Sequence, residues 1–417
     1  MEYVDYLKKQ PADKDAIIVN GDCYTYGMLY ARVQEERKHL PQVEKKHLYP
    51  ICERKILQQL ILFLACAGTN LIPVIVPVDT KLELTSPLFD TPVPERAVMA
   101  VMTSGTTGIP KILFRSFESW ADFFPVQNEI FGVDGDSRLF VQGSLSFTGN
   151  LNLYMAQFAA GGTLIAEDAF LPRKWEQVME RERANGIYLI PTKLLMLPRV
   201  FKGTNPNIKT IISGSQSLGK KDADELKKIF TNTEITLYYG ASELNYITYV
   251  KSRDMTEKRN LIGKPFPGVQ VFIQDDEMYV DNAFHVENIT VPYSLKDSGC
   301  MDEQGNFYFL GRTDDIVGVR GRKVSMMKIE NALEEVEGIT EAAVILLPKG
   351  KGIDEPAEIV SAFVTVEGAG IPKNLRQQLK QKLADFELPK RVIVVSKLPK
   401  NASGKVDKVK LRQRWLE

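Results

Sequence analysis

Short runs of β-branched and other apolar residues recur along the chain, and each gives way to a polar turn or an amphipathic stretch. "LIPVIVPV", "RAVMAVMTS", "RLFVQGSL", "GGTLIAE", "NGIYLIPT", "IKTIISGS" and "EITLYYGAS" follow one another in this way. Between them lie helical patterns such as "FLPRKWEQVMERERA" and "KKDADELKKIFTN". That rhythm predicts a layered α/β domain on a largely parallel sheet. Ligands of such sheets sit where strands end and loops begin. Three polar loops, 103–111, 213–217 and 239–243, each follow a strand-like run and are expected to line one crevice.

Past residue 270 the pattern shortens to strands and turns, "QVFIQDDEMYVDN" and "DEQGNFYFLG", which predicts a small β subdomain. After position 315, an amphipathic helix "SMMKIENALEEVEG", strands at "EAAVILL" and "IVSAFVTVE", a helix "PKNLRQQLKQKLADF" and "RVIVVSKLP" suffice for a separate small domain. The expected organisation is a large N-terminal multi-layer α/β domain with a small β subdomain, residues 1–311, a hinge at 312–315, and a small mobile mixed α+β domain at 316–417.

The 53 basic and 53 acidic residues of the 417 balance, so bulk charge gives no reason to expect nucleic acid or an anionic membrane as partner. Cys23, Cys52, Cys66 and Cys300 are scattered without metal-binding spacing, which reads as reduced thiols in a cytoplasmic protein without structural metal. The N-terminal segment lacks a signal peptide's apolar stretch. The most apolar region, "ILQQLILFLACAGTNLIPVIVPV", is broken by Gln58, Gln59, Gly68, Asn70 and Pro73. It predicts a buried helix, a stop at Gly68 and a buried strand of about eight residues rather than a membrane span. None of the three histidines, His39, His47 and His285, adjoins a nucleophile motif. Chemistry here is therefore expected to run on lysine, carboxylates, backbone amides and a bound metal.

The stretch "TSGTTGIPK" at 103–111 presents backbone N–H groups and hydroxyls with little Cβ crowding, which suits phosphate oxygens. It is neither the Walker loop, since Pro110 precedes Lys111 and Ile112 follows it, nor the dinucleotide fingerprint. Alone it reads equally as a solvent turn. Its companions narrow the reading: "YYGASE" at 238–243, "GRTDD" at 311–315 and "LPKNASGKVDK" at 398–408 follow in order.

With this ordered set, from about Tyr24 to the C-terminus, the sequence resembles the adenylate-forming superfamily of acyl-CoA synthetases, carrier-loading adenylation domains and luciferase-type enzymes. The resemblance implies that Thr103, Ser104, Gly105, Thr106, Thr107, Gly108 and Lys111 hold the β- and γ-phosphates of ATP. It places Tyr239, with Gly240, on one side of adenine and the backbone of Ser215, Gln216 and Ser217 on the other. Ser242 would contact the α-phosphate and Glu243 would bind Mg²⁺. Asp297 and Arg312 would take the ribose, Lys405 would reach into the site from the small domain, and Asp314 would be the hinge. Phe147, Asn150, Gly214 and Ala241 would line the acid pocket.

Four departures from the family pattern stand out. Leu295, Lys296 and Asp297 replace the usual Thr-Gly-Asp, so Asp297 is assigned by its spacing to "GRTDD". Lys328, Ile329 and Glu330 replace Glu-Ile-Glu, which reads as a surface change on a helix. The segment before the phosphate loop is short for the family. In "QGSLSFTGNLN", Phe147 stands where a histidine is common, and Thr148 stands where amino-acid-activating enzymes place an aspartate. A pocket without a counter-charge for an ammonium suits a plain carboxylic acid.

The implied activity is ATP- and Mg²⁺-dependent conversion of a carboxylic acid to acyl-AMP with release of pyrophosphate, then transfer of the acyl group to CoA. The alternatives are an enzyme that loads a separate phosphopantetheinyl carrier protein, and a nucleotide-binding regulatory protein without catalysis. Arg320, Arg322 and Lys323 read either as contacts to CoA phosphates or as a solvated turn.

Overall fold

A computed structural model of the chain describes residues 2–77, 86–103, 110–258, 260–313, 316–319, 322–348, 358–368, 370–400 and 406–416. Two compact units emerge: residues 1–258, 262–271 and 280–293 form one, and residues 259–261, 272–279 and 294–417 the other.

In the first unit the apolar runs become strands: β1 Asp15–Val19, β2 Asp22–Thr25, β3 His47–Ile51, β4 Leu71–Ile75, β5 Ala97–Thr103, β6 Lys111–Ser116, β7 Arg138–Gln142, β8 Thr163–Glu167, β9 Gly186–Tyr188, β10 Thr210–Gly214, β11 Glu234–Ala241 and β12 Asn245–Lys251. One sheet runs in the order β12-β11-β10-β9-β7-β8-β1-β2. Its interior pairs β11–β10, β10–β9, β9–β7, β7–β8 and β8–β1 are parallel, as the alternation predicts. The pairs β12–β11 and β1–β2 are antiparallel, and β12 pairs onward, also antiparallel, with the strand Leu261–Pro265. A second sheet, β3-β4-β5-β6, is parallel except for the β5–β6 pair.

Two expectations shift here. The helix Ile56–Ala65 is buried along nearly its whole length and Gly68 takes a left-handed φ of +70°, yet the strand that follows, β4, has five residues rather than eight. Tyr239, Gly240 and Ala241 belong to β11 and not to a loop. The strand continues because β12 folds straight back on it, pairing Tyr239 with Thr248 and Ala241 with Asn245 across a bulge. A Cβ at Gly240 would stand 2.5 Å from the Asn245 carbonyl oxygen, so only glycine admits this close turn. Behind it, Phe123, Phe131 and Tyr238 pack on the Tyr246 ring with centroids 4.6–5.8 Å away. Aromatic packing of this kind holds the strand ends rigid.

In the second unit, the hairpin of Tyr293–Met301 with Phe307–Arg312 precedes the two-stranded pair Ile316–Val319 and Arg322–Ser325. The helix Met326–Glu334 then packs on a sheet of Ile339–Pro348, Glu358–Val366 and Arg391–Val394. Ile329, Leu333, Val344, Val364 and Leu388 lie in its core. The chain adds a helix absent from the sequence reading, Lys408–Leu416, which buries Leu411 and sets Trp415 against Phe363 at 5.4 Å. Lys328 is exposed on this helix, as the surface reading expects, yet it is paired. Its Nζ lies 2.7 Å from both oxygens of Glu387, a carboxylate that is otherwise buried, so the lysine neutralises an interior charge. Glu330 in turn accepts from the Val344 N–H and pairs with Lys408 at 2.9 Å.

Candidate active site

The parallel strands β7, β9, β10 and β11 all end on the same side of the sheet, and the candidate residues of the first unit follow those ends. β10 leads through Gly214 into Ser215, which takes φ +70°, and Gln216, whose Oε1 accepts from the Thr192 N–H at 3.2 Å. Ser215 and Ser217 are exposed. β11 leads into the Ser242–Leu244 turn, with Tyr239 to Glu243 all half-buried. β7 leads into the segment 143–147 and then the helix Thr148–Ala160.

The glycine-rich stretch lies between antiparallel strands rather than between a strand and a helix. Thr103 pairs with Lys111 across the β5–β6 ladder. Ser104, Gly105, Thr106, Thr107 and Gly108 lie outside the described residues, as do Asp314, Arg320 and Lys405. The segment that carries Lys405 is anchored at both flanks: Lys400 bridges to Val406, and the Asp407 N–H donates to the Pro399 carbonyl at 2.8 Å.

Arg115 organises this region, and sequence reasoning missed it. It occupies β6, four residues after Lys111, and is fully buried. Its guanidinium donates to the carbonyls of Ser242 at 2.7 Å, Phe284 at 2.8 Å and Ser119 at 3.2 Å. Burial lowers its pKa to about 10, opposed by the nearby Glu243 carboxylate. Strand β6 and the Ser242–Glu243 turn are thereby joined through one side chain. The only trace in the sequence is a charge inside the apolar run "KILFRS".

A second tie reaches the helix Thr148–Ala160. Thr148 Oγ1 lies 2.9 Å from Ser242 Oγ. Asn150, buried two residues along the same helix, donates to the Ser144 carbonyl at 2.9 Å. Gly149 has no room for a side chain: a Cβ would come within 2.2 Å of the Tyr188 hydroxyl, 2.7 Å of the Tyr238 hydroxyl and 3.0 Å of the Phe147 ring. Those two tyrosine hydroxyls hydrogen-bond at 2.7 Å, and their rings stack nearly parallel at 6.4 Å. Gly214 meets the Tyr238 ring at 2.4 Å in the same sense. Phe147, Gly149 and Gly214 thus pack against the Tyr188–Tyr238 pair.

In the second unit, Asp297 and Arg312 face each other across the hairpin, with Nε 3.7 Å from Oδ1. Arg312 also donates to the Leu295 carbonyl at 2.9 Å. Lys296 adopts φ +63°, the left-handed conformation that a glycine takes without strain.

Glu243 offers one hard oxygen ligand on a fixed turn, and among the described residues no group of three potential metal-binding side chains occurs. That donor set fits Mg²⁺, which is commonly held by one or two carboxylates together with substrate phosphates. Among the described residues no helix is long and apolar enough to cross a membrane.

Comparison with known proteins follows this geometry. The AMP-binding enzyme family profile matches residues 77–283, and the AMP-binding enzyme C-terminal domain profile matches residues 328–405. The chain is 26% identical over 341 residues to the uncharacterized acyl–CoA ligase YhfT of Bacillus subtilis, covering 78% of this chain and 70% of that protein. It is 28% identical over 336 residues to a 2-succinylbenzoate–CoA ligase of Listeria monocytogenes, covering 76% and 70%. Among solved structures, ATP-bound MatB from Rhodopseudomonas palustris superposes with a TM-score of 0.83 at 22% identity over 100% of this chain and 99% of that one. The o-succinylbenzoate CoA synthetase MenE of Bacillus subtilis, in complex with its acyl-adenylate intermediate, gives 0.82 at 17% over 100% and 98%. The structural likenesses establish the fold.

Proposed function

The chain belongs to the AMP-binding enzyme family, and from that premise we propose that it is an acyl-CoA ligase that activates a carboxylic acid with ATP and passes the acyl group to CoA. In the first step a carboxylate oxygen bonds to the α-phosphorus of ATP and the bond to pyrophosphate breaks, giving acyl-AMP. In the second, the CoA thiol loses its proton and attacks the acyl carbon, and AMP leaves.

The observation that carries this reading is the double tie at Ser242. Its carbonyl is held by Arg115 from β6, and its hydroxyl meets Thr148 from the acid-side helix. A residue so placed stands where the two reactants must meet, and fixed donors there cost no reorganisation as charge develops. Both reactants are anionic and repel. Lys111 supplies positive charge at the start of β6, and Lys405 is the ammonium assigned to the α-phosphate. Glu243 would hold Mg²⁺, which supplies charge neutralisation on the triphosphate when bound. Tyr239, Gly240 and the Ser215–Ser217 backbone are assigned to adenine, Asp297 and Arg312 to ribose, and Asp314 to the hinge between residues 1–311 and 316–417. Phe147, Asn150, Gly214 and Ala241 are assigned to the acid.

A panel of carboxylic acids assayed by ATP–pyrophosphate exchange tests the first step, and thioester formation tests the second. CoA is the expected acceptor; acylation of a purified phosphopantetheinyl carrier with no CoA thioester would favour the carrier-loading alternative.

A further inference from the structure

The turn Ser242–Leu244 has each of its carbonyls taken. Ser242 accepts from Arg115 at 2.7 Å, Glu243 from the Val286 N–H at 2.9 Å and Leu244 from the Asn282 side-chain amide at 3.0 Å. The last two donors lie in one segment, 282–286, which begins at the end of the strand Glu277–Asn282 and then runs without strand or helix. Arg115 joins the same segment through the Phe284 carbonyl at 2.8 Å. The chain just beyond is laid along β6, where Phe114 accepts from the Glu287 N–H at 2.8 Å and donates to Asn288 at 3.1 Å.

Peptide geometry turns these contacts into an orientation. In a planar trans peptide the N–H points opposite to the carbonyl that precedes it, so a Ser242 carbonyl fixed on Arg115 directs the Glu243 N–H the other way. Among the described residues that N–H meets no acceptor. A loop N–H so held, beside the half-buried Glu243 carboxylate, suits a phosphate oxygen and its cation. Asn282 completes the arrangement. It is 5% exposed; its Nδ2 donates to Leu244, and its Oδ1 accepts from the Phe284 N–H at 2.8 Å. One amide therefore fixes both the turn and the segment that grips the turn, using its donor on one side and its acceptor on the other.

We propose that Asn282 is a positioning residue for the adenylation step: by holding the Leu244 carbonyl and the 284–286 segment, it keeps the carboxylate and N–H of Glu243 directed at the metal and triphosphate. This rests on the acid-activating reading above and adds a residue assigned to neither nucleotide nor acid. Without the donor, the Leu244 carbonyl is left unpaired in a buried place and the peptides of the turn are released to rotate. Metal binding and turnover then weaken together, while the acid, assigned to Phe147, Asn150, Gly214 and Ala241, is held as before.

The test uses the full chain and two readouts: ATP–pyrophosphate exchange, and Mn²⁺ binding in the presence of α,β-methylene-ATP followed by electron paramagnetic resonance, which needs no turnover. Mn²⁺ takes the oxygen ligands that suit Mg²⁺. Asn282→Asp keeps the acceptor for Phe284 and sets a carboxylate oxygen against the Leu244 carbonyl. Asn282→Ser keeps a weaker acceptor for the N–H two residues on and adds no charge, so it serves where the aspartate variant does not fold. Each is expected to lower kcat for exchange and to raise the Mn²⁺ dissociation constant by roughly tenfold, with KM for the acid within about twofold of wild type. Asn288→Ala, which cuts the tie to Phe114 and leaves the turn carbonyls paired, is expected to lose stability without either change. Wild-type Mn²⁺ affinity in the Asn282 variants, a wild type that binds no Mn²⁺ with the analogue, or an equal effect in Asn288→Ala overturns the assignment. Exchange by the wild type with no acid overturns the acid-activating reading instead, and the Mn²⁺ measurement still decides the role of Asn282.

Discussion

Thr148 Oγ1 and Ser242 Oγ, ninety-four positions apart in the chain, lie 2.9 Å from each other and join the acid-side helix to the turn after β11. Neither hydroxyl is in a strand or helix interior, so the contact orients a reactive turn rather than supporting the core. Thr148→Val keeps shape and removes the hydroxyl. The expected outcome is a fall of about fivefold in the exchange rate, matching roughly 1 kcal/mol for one hydrogen bond, with little change in melting temperature. Steady-state kinetics and thermal denaturation on the same variant check both halves.

Arg115 predicts a larger loss. Arg115→Met leaves the Ser242, Phe284 and Ser119 carbonyls without this donor and removes a positive charge that interacts with Glu243. Breaking a buried charged network costs on the order of 3 kcal/mol. Urea denaturation should show that drop, and the surviving folded protein should have weakened exchange because the 242–243 turn is no longer tied to β6.

Gly149→Ala tests the tightness of packing against the Tyr188–Tyr238 pair. The added methyl meets the Tyr188 hydroxyl at 2.2 Å and the Tyr238 hydroxyl at 2.7 Å, and overpacking of that kind costs roughly 1–3 kcal/mol. Tyr188→Phe in the same chain removes the nearer oxygen. A double-mutant cycle should therefore find the pair less destabilised than the sum of the single changes. Additive losses would show that the two side chains do not share this space.

Lys193 makes stability depend on pH in a defined direction. Burial lowers its pKa from the ordinary 10.5 to about 8, so between those values the folded chain holds fewer protons than the unfolded one. Stability from this group then rises with pH across that window and its penalty is fully present below it. Its neighbours Gln142, whose two oxygens accept from Nζ, and Phe170 do not titrate. Cys23, pushed up to about 11, and Cys66, pushed up to about 12, act with the opposite sign at the alkaline end, so the informative quantity is a difference. Wild type should gain stability relative to Lys193→Met as pH rises from 8 toward 10.5, read by urea denaturation at each pH.

Much of this architecture is legible in the residues. Buried parallel strands need apolar faces on both sides, so runs such as "KTIISG" and "TLIAE" mark β10 and β8 directly. What is missed has a local cause in each case. Tyr239 to Ala241 read as a loop because glycine and serine follow, but strand pairing by β12 overrides that propensity. Arg115 and Lys193 are single charges within apolar stretches, and nothing in their neighbours says which way each side chain turns. Lys296 hides a glycine-like backbone behind a lysine side chain, which only φ reveals. Lys328 is exposed as expected, but its pairing with Glu387 is not legible because that partner comes from fifty-nine positions away.

The central claim is that this chain transfers AMP to a carboxylate, with the Lys405 ammonium acting at the α-phosphate. Acid-dependent ATP–pyrophosphate exchange by the full chain, wild type against Lys405→Ala, is the most direct measurement. The account predicts exchange that requires an added carboxylic acid and falls by roughly a hundredfold or more in the variant. Exchange that persists undiminished without that ammonium, or no exchange with any acid in a broad panel, would contradict it.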